Sequence, residues 1–218
     1  MRKRDEKRRY DDACGLAHAM ELLGERWAML VLRELAYGPR RFSELKTDLP
    51  GISANVLSQR LSELESRGLV CKRRLPPPAS VQVYEATRWG LEAIPVIAAL
   101  GRWAARSPLH DPTLQMSHVS VIMSLQTLIS PERAAGLDAR IGFRFGEASY
   151  VVRVRDGRLD VDRDEPEGCD AMFSGPPSAV AGVIHGGAPF ETIRVEGDMA
   201  LAKRFVTLFP LPEKIAAH

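Results

Sequence analysis

Apolar residues in the first hundred positions recur at helical spacing. Leu16, Ala19, Met20 and Leu23 predict a helix over 13–24, broken by Gly24. Trp27, Leu30, Val31, Glu34 and Leu35 keep one register over 26–37, and Gly38-Pro39 ends that helix. FSELKTDL at 42–49 makes a short third helix, followed by a Pro50-Gly51 turn. Ser53 then stands at the N-cap of a helix closed by Gly68, with Val56 or Leu57, Leu61 and Leu64 as its core stripe. Residues 69–75 and 81–87 read as two strands of a hairpin, its tip stiffened by Pro76-Pro77-Pro78. Thr87 caps a long helix running to Arg106, kinked or started late by Pro95 and apolar over more than one face.

After residues 106–115, which carry two prolines and no helical period, the pattern changes. Residues 117–129 form an amphipathic helix and Pro131 opens a turn. Strand alternation follows. Ile141, Phe143 and Phe145 share a face; Tyr150, Val152 and Val154 point inward opposite Arg153 and Arg155; Leu159 and Val161 point inward opposite Asp160 and Asp162. Asp156-Gly157 is a two-residue hairpin turn. A fourth strand over 170–175, a helix over 176–186, a fifth strand over 191–197 and a helix capped by Asp198 complete the chain.

Composition adds exclusions. Hydrophobic residues make up 45% and charged residues 27%, the balance of a globular chain and not of a disordered or fibrous one. No apolar run approaches the ~18 residues of a membrane span, and the basic start has no apolar stretch behind it to make a secretory signal. Cys14, Cys71 and Cys169 are too few and too scattered for a disulfide framework, which points to a reducing cytoplasm. The net charge of +2 conceals an asymmetry: residues 1–106 carry 19 Lys/Arg against 13 Asp/Glu, and residues 107–218 carry 11 against 15. A basic half suggests a polyanionic partner for that half alone.

Three helices and a hairpin are the plan of a winged helix-turn-helix, in which a short helix and a turn present the next helix to the major groove. Here that helix would show Ser53, Asn55, Ser58, Gln59 and Ser62, with Glu entering only at Glu63 and Glu65. Amides and hydroxyls suit base edges, whereas a merely solvated face is usually Glu/Lys-rich. Arg40, Arg41, Lys46, Arg60, Lys72, Arg73 and Arg74 stand where phosphates would lie. Any one of these is as often a plain surface charge; the constellation is harder to explain that way.

The run from Cys14 through Leu23-Gly24-Glu25-Arg26-Trp27, Gly38-Pro39-Arg40-Arg41-Phe42, Leu49-Pro50-Gly51-Ile52-Ser53, Leu57-Ser58-Gln59-Arg60-Leu61 and Leu64-Glu65-Ser66-Arg67-Gly68-Leu69-Val70, then Tyr84-Glu85-Ala86-Thr87, resembles the HxlR-type winged-helix transcriptional regulators over about residues 13–106. The resemblance implies a DNA-binding homodimer joined through terminal helices, with Leu16, Met20, Ile94, Ile97, Leu100 and Trp103 as dimer contacts. Gly15 follows Cys14 where the family usually has proline. In some members that cysteine senses oxidants or electrophiles; here the adjacent Asp11 and Asp12 would raise its pKa, so an inert cysteine is the expectation.

The order of elements after residue 115 resembles the sterol-carrier-protein type of lipid-binding domain, carried by Tyr150–Gly157, Leu159–Val161, Asp170–Gly175, His185-Gly186-Gly187, Val195-Glu196-Gly197-Asp198 and Leu201–Phe209. It implies a five-stranded sheet packed against helices around an apolar cavity. Phe143, Phe145, Val152, Phe173, Val180, Ile184 and Phe205 would line that cavity, or would simply fill a dry core. No catalytic motif emerges, the histidines and cysteines lack metal-ligand spacing, and no cofactor is expected. His185 reads as a surface histidine at a helix end.

The expectation is an α+β chain with a basic arm (1–12), a winged-helix DNA-binding and dimerisation domain (13–106), a linker (107–115) and a sterol-carrier-like domain (116–218). Its expected function is a cytoplasmic, non-enzymatic, homodimeric regulator, a repressor, binding double-stranded DNA and responding to an apolar small molecule. Two alternatives stay open: a lipid carrier using the winged helix only to dimerise, and a thiol regulator acting through Cys14.

Overall fold

A computed structural model describes residues 10–216. The start of the expected basic arm, residues 1–9, lies outside them. The chain divides into two compact units, one through Ile94 and one from Pro95 onward.

The first unit holds α1 (Gly15–Leu23), α2 (Ala28–Glu34), α3 (Phe42–Asp48), α4 (Ala54–Ser66), β1 (Val70–Arg74), β2 (Gln82–Ala86) and α5 (Arg88–Glu92). Local chemistry sets the boundaries. Ser53 Oγ accepts from Val56 N–H at 3.2 Å and opens α4, and Gly68 takes the left-handed φ of +75° just past its end. Thr87 Oγ1 accepts from Gly90 N–H and donates to Gly68 O, which ties the start of α5 to the end of α4. β1 and β2 pair antiparallel with Lys72 opposite Tyr84, and Arg40 adds a bridge to Tyr84 on the other side. The core is Val31, Leu32, Leu35, Leu45, Leu49, Ile52, Leu57, Leu61, Leu64 and Val83. Leu57, not Val56, therefore carries the stripe of α4. Leu30, expected in register on α2, is exposed, while Glu34 is buried. Trp27 sits before α2 at φ +78°, so the helix begins at Ala28, two residues later than the pattern suggests.

The second unit holds α6 (Ile94–Ala104), α7 (His118–Leu128), α8 (Pro131–Ala134), β3 (Ala139–Phe145), β4 (Ala148–Arg155), β5 (Arg158–Asp162), β6 (Ala171–Ser174), α9 (Pro177–His185), β7 (Arg194–Gly197) and α10 (Met199–Val206), with the division falling at the start of α6. The five-stranded sheet runs β5-β4-β3-β6-β7, with β3 and β6 parallel and the other pairs antiparallel. Asp156 and Gly157, at φ +51° and +73°, make the turn between β4 and β5. The fifth strand is shorter than its pattern suggests: Phe190–Thr192 form a 3₁₀ turn and pairing starts at Arg194. Residues 106–110 are not a bare linker, because Ile215 N–H donates to Arg106 O and Lys214 Nζ to Ser107 O, each at 2.9 Å.

β4 is buried on both faces over Ala148–Val152. On one face Tyr150 meets Phe145 of β3 and His118 of α7. Over the other face lies the loop holding Pro166 and Cys169, so close that a Cβ on Gly142 would stand 2.5 Å from the Pro166 side chain. Val151, paired with Gly142, is consequently enclosed.

Candidate nucleic-acid interface

The turn from α3 to α4 is made by Pro50-Gly51, with Gly51 at φ +86° and the Trp27 ring 3.8 Å from where a Cβ would stand. That turn and the buried Leu49, Ile52 and Leu57 fix how α4 leaves the unit. Ser53, Asn55, Ser58, Gln59 and Ser62 are all exposed on α4. Ser53 is the exception in chemistry, since its hydroxyl already caps the helix. Gln59 Nε2 donates to Glu63 Oε1 at 2.9 Å.

The expected phosphate contacts separate into two groups. Arg41, Lys72, Arg73 and Arg74 are exposed and Lys46 is half-buried. On the hairpin, Lys72 lies over the Tyr84 ring, Arg73 pairs with Glu85, and Arg74 Nε donates to Ser80 O, so the three cations rim an open hollow with Ser80 and Gln82. Arg40 and Arg60 are buried. Arg40 is 4% exposed and pairs with Asp48 and, at 3.3 Å, Glu44. Burial works against its charge, but Asp48, with Glu44 and Glu34, more than offsets that and raises its pKa. Arg60 pairs with Glu63 and lies 3.5 Å from Glu25. Both arginines are therefore corrected from phosphate contacts to internal ion pairs. Sequence spacing could not show this, because Arg40 is placed by its bridge to Tyr84 and Arg60 by the approach of Glu25.

Cys14 also departs from expectation. It is exposed at the start of α1, and the backbone N–H groups of Leu16 and Ala17 lower its thiol pKa. The Asp12 carboxylate instead accepts from the Cys14 main-chain N–H. Of the expected dimer contacts, Leu16, Leu100 and Trp103 are exposed and Met20, Ile94 and Ile97 half-exposed; no residue of α6 is buried.

A family model described as HxlR-like helix-turn-helix matches residues 22–110. The HTH-type transcriptional regulator YvaP of Bacillus subtilis (strain 168), itself uncharacterized, is 39% identical over 87 residues, covering 39% of this chain and 80% of that protein. The chain belongs to the HxlR-like helix-turn-helix family. The HTH-type transcriptional regulator YodB of the same organism is 36% identical over 86 residues, 39% of this chain and 77% of that protein. The solved reduced form of YodB from B. subtilis is 32% identical and covers 46% of this chain and all of that one, at a TM-score of 0.41. This HxlR-like chain is thus a transcriptional regulator, and its helix-turn-helix is the DNA-binding element.

In the C-terminal unit of this HxlR-like regulator, the side chains expected to line a cavity are enclosed and several pack against one another. Phe143, Val152, Phe173, Val180 and Phe205 are fully enclosed, and Phe145 and Ile184 nearly so. Ring centroids stand 5.4 Å apart for Phe143 and Phe173, 6.0 Å for Phe143 and Phe205, and 5.8 Å for Phe173 and Phe205. Rings this close, on side chains with no accessible surface, pack as the dry-core alternative expects. Two histidines lie at the margins of this core. His118 is buried, with Nδ1 2.6 Å from the Tyr150 hydroxyl. His185 is not a surface cation: its Nε2 is 2.8 Å from Ser124 Oγ and its ring meets Phe209 edge-on. Among the described residues, no helix is long and apolar enough to cross a membrane.

Proposed function

We propose that this HxlR-like regulator is a sequence-specific repressor that binds a pseudo-palindromic operator as a homodimer. The observation that carries the reading is α4: a capped helix whose exposed side is Asn55, Ser58, Gln59 and Ser62, in a unit whose hairpin exposes Lys72, Arg73 and Arg74. Amides and hydroxyls read bases, and cations hold phosphates. The exposed apolar side chains Leu16 on α1 and Leu100 and Trp103 on α6 support self-association, because apolar helices left uncovered seek a partner surface. Two copies would set their α4 helices about 34 Å apart, one turn of duplex.

The sterol-carrier-like C-terminal unit is the proposed sensor. An apolar effector has to part the aromatic cluster or bind elsewhere on that unit, and it regulates only if it binds two states of the dimer unequally. A mobility-shift assay with the DNA upstream of the protein's own coding region tests DNA binding, and titration with fatty or aromatic acids tests the effector. Equal affinity for that DNA and for random duplex ends the operator reading. Unchanged operator affinity with every acid ends the effector reading.

Cys14 favours a second reading, a thiol regulator. Its exposure and the helix-start N–H groups stabilise the thiolate. In that case Cys14→Ser keeps DNA binding and abolishes any response to oxidants or quinones.

A further inference from the structure

Behind the outward face of α4 is a row of side chains that holds one of its amides. Gln59 Nε2 donates to Glu63 Oε1 at 2.9 Å, one turn along the helix. The other oxygen, Glu63 Oε2, accepts from Arg60 Nη1. Arg60 is buried and also lies 3.5 Å from Glu25 Oε2, in the turn between α1 and α2. The row runs Glu25, Arg60, Glu63, Gln59, with Arg60 as its buried member.

A glutamine amide free in solvent rotates easily and can present either its oxygen or its NH₂ group. Here only one orientation satisfies the carboxylate. Rotated by half a turn, the amide would set its own oxygen against Glu63 Oε1, two acceptors with no proton between them. Arg60 prevents Glu63 from swinging away, since the carboxylate is held at its other oxygen. Gln59 is left with its oxygen and its second N–H.

An oxygen beside an N–H matches the major-groove edge of adenine, which offers the N6 amine and the N7 acceptor; guanine offers two acceptors, O6 and N7. An amide able to turn could donate to guanine, and a held one meets O6 with its oxygen. We infer that Glu63 is a specificity-determining positioning residue: without touching a base, it holds the Gln59 amide so that one operator position takes adenine and rejects guanine. The inference rests on reading α4 as the base-contacting helix. It also accounts for a carboxylate beside an otherwise uncharged reading edge, where it works against phosphate binding.

The test is selection by the full-length protein from a randomised duplex pool, followed by binding to the selected site with adenine changed to guanine at each position. Wild type favours adenine over guanine about tenfold at one position, and Glu63→Ala and Gln59→Ala each bring that position within about threefold. The double variant goes no further, because both changes remove one interaction. Glu63→Gln, which keeps an oxygen in place, retains part of the preference. Random duplex binds Glu63→Ala no more weakly than wild type. An unchanged Glu63→Ala profile overturns the inference. Equal flattening at all positions also overturns it, as that is the mark of a loosened helix, and so does a selected site with no adenine-over-guanine position. A wild type that selects no site at all defeats the DNA-reading function itself, and the role of Glu63 with it.

Discussion

The main chains of Arg40 and Tyr84 exchange two hydrogen bonds, each N–H donating to the other's carbonyl oxygen at 2.8 Å. This places Arg40 against β2, and from there its buried guanidinium reaches Asp48 and Glu44 on α3. The hairpin and the first helix of the helix-turn-helix are therefore joined by one residue through both its backbone and its side chain. Arg40→Met takes the guanidinium away from Asp48 and Glu44, while Glu34 keeps Arg33, 2.6 Å away. Urea unfolding should show a loss of about 1–3 kcal/mol, because the carboxylates left behind are part-exposed and water takes over some of the lost hydrogen bonding. The salt dependence of DNA binding should stay unchanged, because no phosphate contact is removed.

Lys72 behaves in the opposite way. It is exposed on the hairpin, so Lys72→Ala should leave the unfolding midpoint in place. It should weaken operator and random duplex alike and reduce the slope of log affinity against log salt by about one. Fluorescence anisotropy over a salt series measures both.

Base reading is a separate loss. Asn55→Ala should lower affinity for the operator by about 1–3 kcal/mol while leaving affinity for random duplex nearly unchanged. Competition between the two duplexes measures the ratio. An equal loss on both takes Asn55 out of base recognition.

His185 makes stability depend on pH. Burial pushes its pKa below the ordinary histidine value, and a backbone contact with Phe209 offsets only part of this. The unfolded chain then takes up the proton more readily than the folded one. The stability tied to the neutral ring is fully present above the unfolded value of about 6.5 and is lost as pH falls through the lower folded value. Urea midpoints should fall between about pH 7.5 and 5.5, and His185→Gln should shrink that fall.

Trp103 tests self-association. It is 70% exposed on α6, where it supports no core of its own chain. Trp103→Arg should keep the melting temperature of the isolated chain while shifting sedimentation from dimer to monomer and weakening operator binding. A dimer that persists places the interface elsewhere.

The order of elements was legible without coordinates because local signals mark their ends. Ser53, Thr87, Ser117 and Asp198 each accept hydrogen bonds at a helix start, and Asp156-Gly157 turns a hairpin. The exposed edge of α4 followed from helical period alone, since Leu57, Leu61 and Leu64 had to face inward. Contacts between distant residues were a different matter. Whether Arg40 met phosphate or Asp48 depended on its bridge to Tyr84, and whether Gln59 was free depended on an arginine anchored near Glu25. The seven apolar residues of the sheet unit looked the same in sequence whether they enclosed a cavity or closed on one another. Periodicity records which side of an element is apolar, but the volume left between elements and the pairing of charges across them arise only when the elements pack.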